Sequence, residues 1–383
     1  MRANTGYKAY QVENRKKFQE KWKEVLSNHF PPLPQSSYDE AAFRLENPVS
    51  LKLPKPDRFS PKSVQLEMTT TCNHRCFFCP VSIAKRPKSI LSLEKLKKII
   101  TGLRAYPIET ISIAGFSEPT HDKQIVEKIR LIREAGFSVL FFTNGSGLKP
   151  ALVDELLELG ISRFTINLST IDETLYEKTR GNKDIKQVIP YLDYLLAQIE
   201  KQHKKTEVIL MVLGALDQQH ATNIQQIHQQ FAYSQIAQIN LCPHSDYAGD
   251  TTPHVLPKQV YHQTLRGCSK AYQNEWLHLT AEGEVILCCQ DYHALYQMGH
   301  IDEAPLTEIY QSQKINQWRR WIQGEEEAPK DFICRYCLFA LTDDNYAERV
   351  QKLFCQSCVL PSALGTQACQ RCEVRTQIEK HIF

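Results

Sequence analysis

Apolar positions in the middle of the chain switch repeatedly between two periods. Val64, Leu66 and Met68 alternate with polar residues, as on a half-buried strand, and Leu93, Leu96, Ile99, Ile100 and Leu103 then recur at helical spacing. The same exchange continues downstream. Strands are predicted over Thr110–Ala114, Ser138–Phe142, Arg163–Leu168, Val208–Leu213 and Gln238–Leu241. Helices are predicted over Asp122–Ala135, Ala151–Leu159, Asp172–Thr179, Ile185–Gln202 and Gln218–Phe231. Gly136, Gly160 and the Asn144-Gly145 turn punctuate the series. Strands that alternate with helices imply a parallel sheet with right-handed crossovers, and six such units predict a partial (β/α)6 TIM-like barrel. Ligands in such sheets lie at the C-terminal ends of the strands.

The pattern differs on either side of this region. Phe18, Trp22, Val25 and Leu26 mark a basic amphipathic helix that Pro31-Pro32 ends, and the proline-rich stretch after it reads as a connector. Beyond residue 250, Trp276–Thr280 and Glu284–Leu287 flank Ala281-Glu282-Gly283 as a hairpin, and Ile309–Trp321 reads as one helix. The expected organisation is an N-terminal extension and connector over 1–60, the barrel over 61–250, a second domain over 251–345 and a short cysteine-dense tail over 346–383.

Composition narrows the partners. A 42% hydrophobic, 23% charged chain of 383 residues is an ordinary globular balance. A formal charge of only +3 gives no support for broad nucleic-acid binding. No apolar run approaches a membrane span, and the first residues lack the apolar core of a signal peptide. The expectation is a cytoplasmic protein with no membrane or nucleic-acid partner.

Thirteen cysteines change the picture, because eleven of them cluster. Cys72, Cys76 and Cys79 form C-x3-C-x2-C directly after the first strand. Cys268, Cys288, Cys334 and Cys337 form a second set, and Cys355, Cys358, Cys369 and Cys372 a third, with Cys242 and Cys289 left over. Close C-x2-C pairs without a secretion signal point to metal rather than disulfides. Three thiolates can hold three irons of a [4Fe–4S] cluster and leave the fourth open, which suggests chemistry rather than a closed structural site.

The cysteine triad, its place after the first strand and the six-unit pattern resemble the radical S-adenosylmethionine (SAM) superfamily. The resemblance implies that SAM chelates the open iron and that one electron cleaves it to methionine and a 5′-deoxyadenosyl radical, which abstracts a substrate hydrogen. It implies further roles downstream. Phe78 stands where the family has an aromatic residue near the adenine. Gly115-Phe116-Ser117-Glu118-Pro119 is similar to the Gly-Gly-Glu-Pro element that receives SAM's amino group, with Phe116 and Ser117 in place of the glycines. Thr143-Asn144-Gly145 resembles the family's Thr-Asn-Gly turn. Asn167-Leu168-Ser169 ends the fourth strand, where polar side chains reach SAM. Arg180-Gly181 matches an Arg-Gly element whose guanidinium can hold SAM's carboxylate. The fifth strand is expected to place an apolar residue beside the adenine.

The second cysteine set, with Cys288-Cys289-Gln290-Asp291, resembles the SPASM/twitch extension of the same family. In the twitch form four cysteines ligate one auxiliary [4Fe–4S] cluster; the fuller form has one more cysteine at the position of Asp343 here. Cys288 is the expected ligand and Cys289 is spare. A spare Cys289, or Cys242 at the end of the sixth strand, is a candidate for returning a hydrogen atom to a substrate radical or for a packed thiol. His244 and Asp246 are candidates for moving substrate protons. The third set reads as a four-cysteine zinc ribbon or as a further cluster, since both accept four thiolates. The implied substrate is a peptide or protein, with a small natural product, oxidised or epimerised, as the alternative, and a non-catalytic iron–sulfur or zinc scaffold as the non-enzyme reading. The implied electron donor is a flavodoxin or ferredoxin.

Overall fold

A computed structural model describes residues 61–234, 237–251 and 260–345. The N-terminal helix and connector and the four cysteines of the tail lie outside these residues. Six parallel strands follow the sequence pattern closely: β1 (Ser63–Leu66), β2 (Thr110–Ile113), β3 (Ser138–Thr143), β4 (Arg163–Asn167), β5 (Glu207–Gly214) and β6 (Ala237–Pro243). They pair in sequence order, each parallel to the next. Between them run α1 (Leu93–Leu103), α2 (Ile125–Glu134), α3 (Pro150–Glu158), α4 (Glu173–Arg180), α5 (Ile185–Lys201) and α6 (Gln218–Gln230).

Local chemistry sets these helix starts. Ser92, Asp172 and Asp217 each accept a backbone N–H of the first turn of α1, α4 and α6, relieving donors that have no helical partner. Gly181 ends α4 at φ +63, and its N–H reaches Glu177 O at 2.9 Å. That left-handed cap favours glycine. Val64, Leu66, Ile111, Val139, Phe141, Phe164 and Ile166 are fully buried on the strands and join Leu96, Ile99, Leu156 and Leu195 of the helices in one core.

The sheet does not stop at six strands. β8 (Trp276–Leu279) pairs in parallel with β1, and β9 (Glu284–Ile286) and β10 (Gln297–His300) continue antiparallel beyond it. The expected hairpin therefore extends the barrel sheet to nine strands in the order β10-β9-β8-β1-β2-β3-β4-β5-β6, with β6 at an open edge. A separate two-stranded ladder joins β7 (Gly267–Cys268) to β11 (Ala340–Leu341). After a short helix α7 (Tyr272–Glu275), one expectation fails: Ile309–Trp321 is not one helix. It is α8 (Leu306–Gln311) and α9 (Gln313–Gln323), broken where Ser312 turns extended at ψ 152. The break lets Ile309 and Tyr310 pack inward on one axis and Ile315, Trp318 and Ile322 on another, which a single straight helix face would not do. No helix among the described residues is long and apolar enough to cross a membrane.

His278 of β8 sits in this core with both ring nitrogens buried and without hydrogen-bond partners, stacked on Trp276 at 5.9 Å. Burial pulls its pKa from 6.5 down to about 3. The unfolded chain thus takes up a proton between these values that the folded chain refuses, so stability is complete above the ordinary value and falls as pH drops toward about 3. We expect the wild-type unfolding free energy to fall by about 2 kcal/mol more than that of His278→Leu between about pH 7 and pH 5, by urea titration. Parallel curves for the two proteins would refute this origin.

Candidate functional site

The C-terminal ends of β1 to β5 bring the first cysteine set and most of the expected SAM residues together. β1 runs directly into the loop that carries Cys72, Cys76 and Cys79, all half-buried or nearly so. That loop is stitched to the end of α4: Arg75 N donates to Arg180 O at 2.8 Å and Phe77 N to Thr179 O at 3.0 Å. Within it, Cys79 N donates to Cys76 O at 2.9 Å and His74 N to Cys72 Sγ at 3.4 Å. Burial pushes the Cys72 and Cys79 thiols up to about 12. Cys76 differs. Burial again opposes ionisation, but the Arg180 guanidinium and then His74 outweigh it and bring the thiol below its ordinary value.

Arg180 is the hub. It is 1% exposed, and its Nη2 donates to Asn167 Oδ1 at 2.7 Å and to Ser169 Oγ at 3.1 Å, while Nη1 lies 4.0 Å from Cys76 Sγ. Its guanidinium stands over the rings of Tyr176 at 5.2 Å and Phe78 at 5.8 Å. Ser169 is held at φ +58, an uncommon backbone state for a residue with a side chain, by its own bond to Asn167 Oδ1 at 3.0 Å and by Arg180. Arg180 Nε is buried with no partner. A buried orphan donor on the guanidinium that approaches Cys76 suits an anionic group, so these residues fit the carboxylate of SAM and an iron–sulfur cluster.

The remaining expected residues are present with sharper roles. Glu118 is buried and its carboxylate accepts from Thr143 Oγ1 at 2.7 Å, Asn144 N at 2.7 Å and Thr120 Oγ1 at 2.8 Å. It therefore ties the β2 and β3 turns together rather than presenting free oxygens. Asn144 Nδ2 donates to Asn73 Oδ1 at 2.9 Å, which carries this brace into the cysteine loop. Gly115 explains why the two substituted glycines of the element are tolerated. A side chain on Gly115 would meet Glu67 at 2.8 Å, so this position takes the close approach, while the Phe116 ring is buried edge-on to Tyr247 at 5.2 Å and Tyr292 at 4.9 Å. Ser117 is half-buried beside it. Phe78 is buried and stacks on His244 at 5.1 Å with 17° between the rings. Burial, then His220, lowers the His244 pKa.

The second cysteine set comes from four separate places. Cys268 lies on β7, Cys288 follows β9, and Cys334 and Cys337 flank the turn before β11. All four line one small cavity of about 20 Å³, together with Leu287, Ile322 and the side chains of Tyr272, Gln273 and Gln290. Among the described residues no three such side chains close on a single metal ion; these four share the lining of one cavity instead. Burial first, and for three of them the neighbouring thiols next, hold all four pKa values up. Four such thiols can ionise together only around added positive charge, so the set fits a cluster. Cys289 does not line that cavity. It accepts from Gln290 Nε2 at 3.7 Å and from the Tyr272 hydroxyl, and burial pushes its thiol up to about 11. Asp343, where a further cysteine would stand, faces outward and pairs with Arg266 at 2.5 Å. Cys242 is half-buried on edge strand β6, opposite Leu213, with Lys270 near enough to temper the effect of burial on its thiol.

Sequence reasoning missed three contributors. His74, between the first two cysteines, is buried and bonds Asp184 Oδ2 at 2.9 Å, and Tyr176 Oη donates to Asp184 Oδ1 at 3.0 Å. Arg86 reaches back to Glu67 at 2.5 Å and stands over the Tyr292 ring at 5.1 Å, while Tyr292 Oη donates to Ala84 O at 2.6 Å. Tyr247 packs on Phe116 from the loop after β6. Only His74 had a visible signal, its place inside the motif.

Comparison with known proteins agrees with this geometry. Residues 66–222 match the model of the radical SAM superfamily, and residues 268–338 match that of an iron–sulfur cluster-binding domain, SPASM. The chain belongs to the radical SAM superfamily. A probable GTP 3′,8-cyclase of Sulfurisphaera tokodaii is 27% identical over 135 residues, 35% of this chain and 43% of that protein, so this radical SAM chain matches less than half the length of such relatives. SuiB of Streptococcus suis, solved bound to its precursor peptide SuiA, shares the fold with a TM-score of 0.56 and 15% identity over 85% of this chain and 83% of SuiB. The enzyme anSMEcpe, solved with bound AdoMet, gives a TM-score of 0.52 and 12% identity over 82% of this chain and 98% of its own.

The Glu118 brace is testable without any cofactor. Glu118→Ala leaves the Thr143, Thr120 and Asn144 donors buried together, and we expect it to cost about 3 kcal/mol of unfolding free energy, by urea titration followed through tryptophan fluorescence. A loss under about 1 kcal/mol would show that the turns hold without the carboxylate.

Proposed function

We propose that this radical SAM protein reductively cleaves SAM and abstracts a hydrogen atom from a peptide or protein substrate. The observation that carries the reading is the meeting of the three-cysteine loop, through Cys76, with the buried Arg180 and its partners Ser169 and Asn167 at the ends of β1 and β4. A [4Fe–4S] cluster held by the three thiolates, with SAM on its open iron, would supply a strong hydrogen-abstracting radical when one electron arrives. The chain's own residues do the rest. Arg180 orients a carboxylate through its orphan Nε, and Ser169 and Asn167 fix the guanidinium so that it does not relax into solvent. Phe78 gives a flat apolar surface, and the segment Gly115–Ser117 after β2 offers backbone for an amino group. Cys268, Cys288, Cys334 and Cys337 would hold the auxiliary cluster, with electrons from a flavodoxin or ferredoxin.

The peptide reading is in keeping with SuiB, a protein of the same fold that was solved with a precursor peptide. The GTP-cyclase relatives match over about a third of this chain, so they bear on the shared core rather than on the substrate. One observation favours a second reading of the outcome. The Cys289 thiol lies off the four-cysteine cavity, held by Tyr272 and Gln290, where it suits return of a hydrogen atom, as in an epimerisation, better than cluster ligation.

Protein reconstituted with iron and sulfide without oxygen, then given SAM and titanium(III) citrate, is expected to form 5′-deoxyadenosine. Cys76→Ala is expected to abolish it while Cys268→Ala retains SAM binding. Undiminished 5′-deoxyadenosine from Cys76→Ala would sink the proposal.

A further inference from the structure

Just past β1, Glu67 forms a buried ion pair with Arg86. Arg86 Nη2 donates to Glu67 Oε1 at 2.5 Å, and the two side chains are 12% and 4% exposed. The guanidinium stands over the ring of Tyr292 at 5.1 Å and that of Phe116 at 5.9 Å. As a source of stability the pair is incomplete. Glu67 Oε2 and Arg86 Nε are both buried without a hydrogen-bond partner, and a half-satisfied buried pair adds little to stability. Glu67 makes one further bond: its Oε1 also accepts the backbone N–H of Phe116 at 3.0 Å.

That bond fixes a peptide unit. The C=O and N–H of a trans peptide point to opposite sides. With the Phe116 N–H held on Glu67, the Gly115 carbonyl is turned away from the carboxylate. Glu67 and the Phe116 ring are buried whereas Gly115 is exposed, so the carbonyl faces the open side. The packing needs glycine there, because a Cβ on Gly115 would lie 2.8 Å from both Cγ and Oε1 of Glu67. Among the described residues no backbone N–H donates to the carbonyl of Gly115, Phe116 or Ser117. The next residue, Glu118, donates its N–H to Thr71 O at 3.0 Å. These carbonyls therefore stand beside the start of the cysteine loop, outside the backbone network and able to accept from a ligand's N–H.

We propose that Glu67 is a positioning residue for the amino group of SAM: through the Phe116 N–H it sets the Gly115 carbonyl as that group's acceptor, and Arg86 holds the carboxylate in place. The role rests on the SAM-cleaving reading and adds to it a residue outside the Gly115–Pro119 element. It also accounts for the bulky residue at position 116. A flexible glycine would leave the turn loose. Here the Phe116 ring lies against Arg86 and its N–H is on Glu67, so one ion pair fixes both the side chain and the backbone of the turn.

Two stable thioethers test this: S-adenosylhomocysteine, and 4-(5′-deoxyadenosin-5′-ylthio)butanoate, which is the same molecule without the amino group. Each is titrated by calorimetry into the cluster-reconstituted protein, and the ratio of the two affinities measures the preference for the amino group. Comparing that ratio between proteins cancels what the cluster contributes to each. We expect a wild-type preference of more than about tenfold. Glu67→Leu is expected to lower it about tenfold while binding the des-amino compound within about twofold of wild type. Glu67→Gln, whose amide oxygen can still accept the Phe116 N–H, is expected to keep most of the preference. A merely structural pair would weaken both compounds alike. If Glu67→Leu does not fold, Gly115→Ala, whose Cβ displaces the carboxylate, takes its place with the same expectation. A wild-type preference under about threefold, an undiminished preference in Glu67→Leu, or a loss in Glu67→Gln as large as that in Glu67→Leu overturns the role of Glu67. Binding of neither compound to wild type overturns the SAM-cleaving reading and this inference with it.

Discussion

The architecture depends on β1, a strand of only four residues with a parallel neighbour on each side. Val64 and Leu66 are wholly buried, Leu66 O accepts from Ala114 N at 3.2 Å, and Glu67 N donates to Leu279 O at 3.0 Å. β2 on one side brings the Glu118 turn, and β8 on the other brings the hairpin that leads to Cys288. The strand then ends in the loop that carries the cysteine triad. A slip of one residue in either ladder would turn Val64 and Leu66 out of the core and move the loop against its supports together. The triad, the turns after β2 and β3 and the second cysteine set are thus referred to one short element, which is why the sheet is continuous across what the sequence divides into barrel and second domain.

Charge distribution follows from this crowding. Seven cysteines at two centres are held where burial opposes ionisation, and one of them, Cys76, is drawn the other way. The cause is positional. The Arg180 guanidinium approaches its sulfur, and His74 lies on its other side with Asp184 behind. A thiol that ionises more readily than its two neighbours would give a cluster its first anchor. The auxiliary set has no such favoured member. Its four thiols depend more completely on the charge of what they bind, with backbone N–H groups such as Phe339 N at 3.4 Å from Cys337 as the neutral support.

Much of this was legible in the sequence because it is periodic or local. Every parallel strand lies within a few residues of its apolar alternation, and the cysteine spacings name the residues that meet at each centre. What was not legible depends on which side chains approach across long separations. Arg86 meets Glu67 across 19 positions, and Tyr292 meets Ala84 across 208. Neither contact leaves a trace in composition or period. Glu118 was legible as a residue of its element but not as a brace, because its partners Thr143 and Asn144 are brought to it only by the pairing of β2 with β3. The broken helix at Ser312 was hidden for the opposite reason: the apolar spacing is continuous through it, and only the backbone changes direction.

The dipeptide Cys288-Cys289 shows how a chain can serve two centres at one point. The backbone enters a turn at Cys289, directly after Cys288. Cys288 lines the four-cysteine cavity, and Cys289 does not, accepting instead from Tyr272 and Gln290. Two thiols separated by one peptide bond share a single local backbone geometry, so anything that fixes one fixes the other. Ser245 supplies that fixation through Gln290, from the far end of the barrel sheet. The link runs in both directions. The loop after β6 is held by the cysteine turn, and the turn is held by that loop, so the second cysteine set and the open edge of the barrel are tied together.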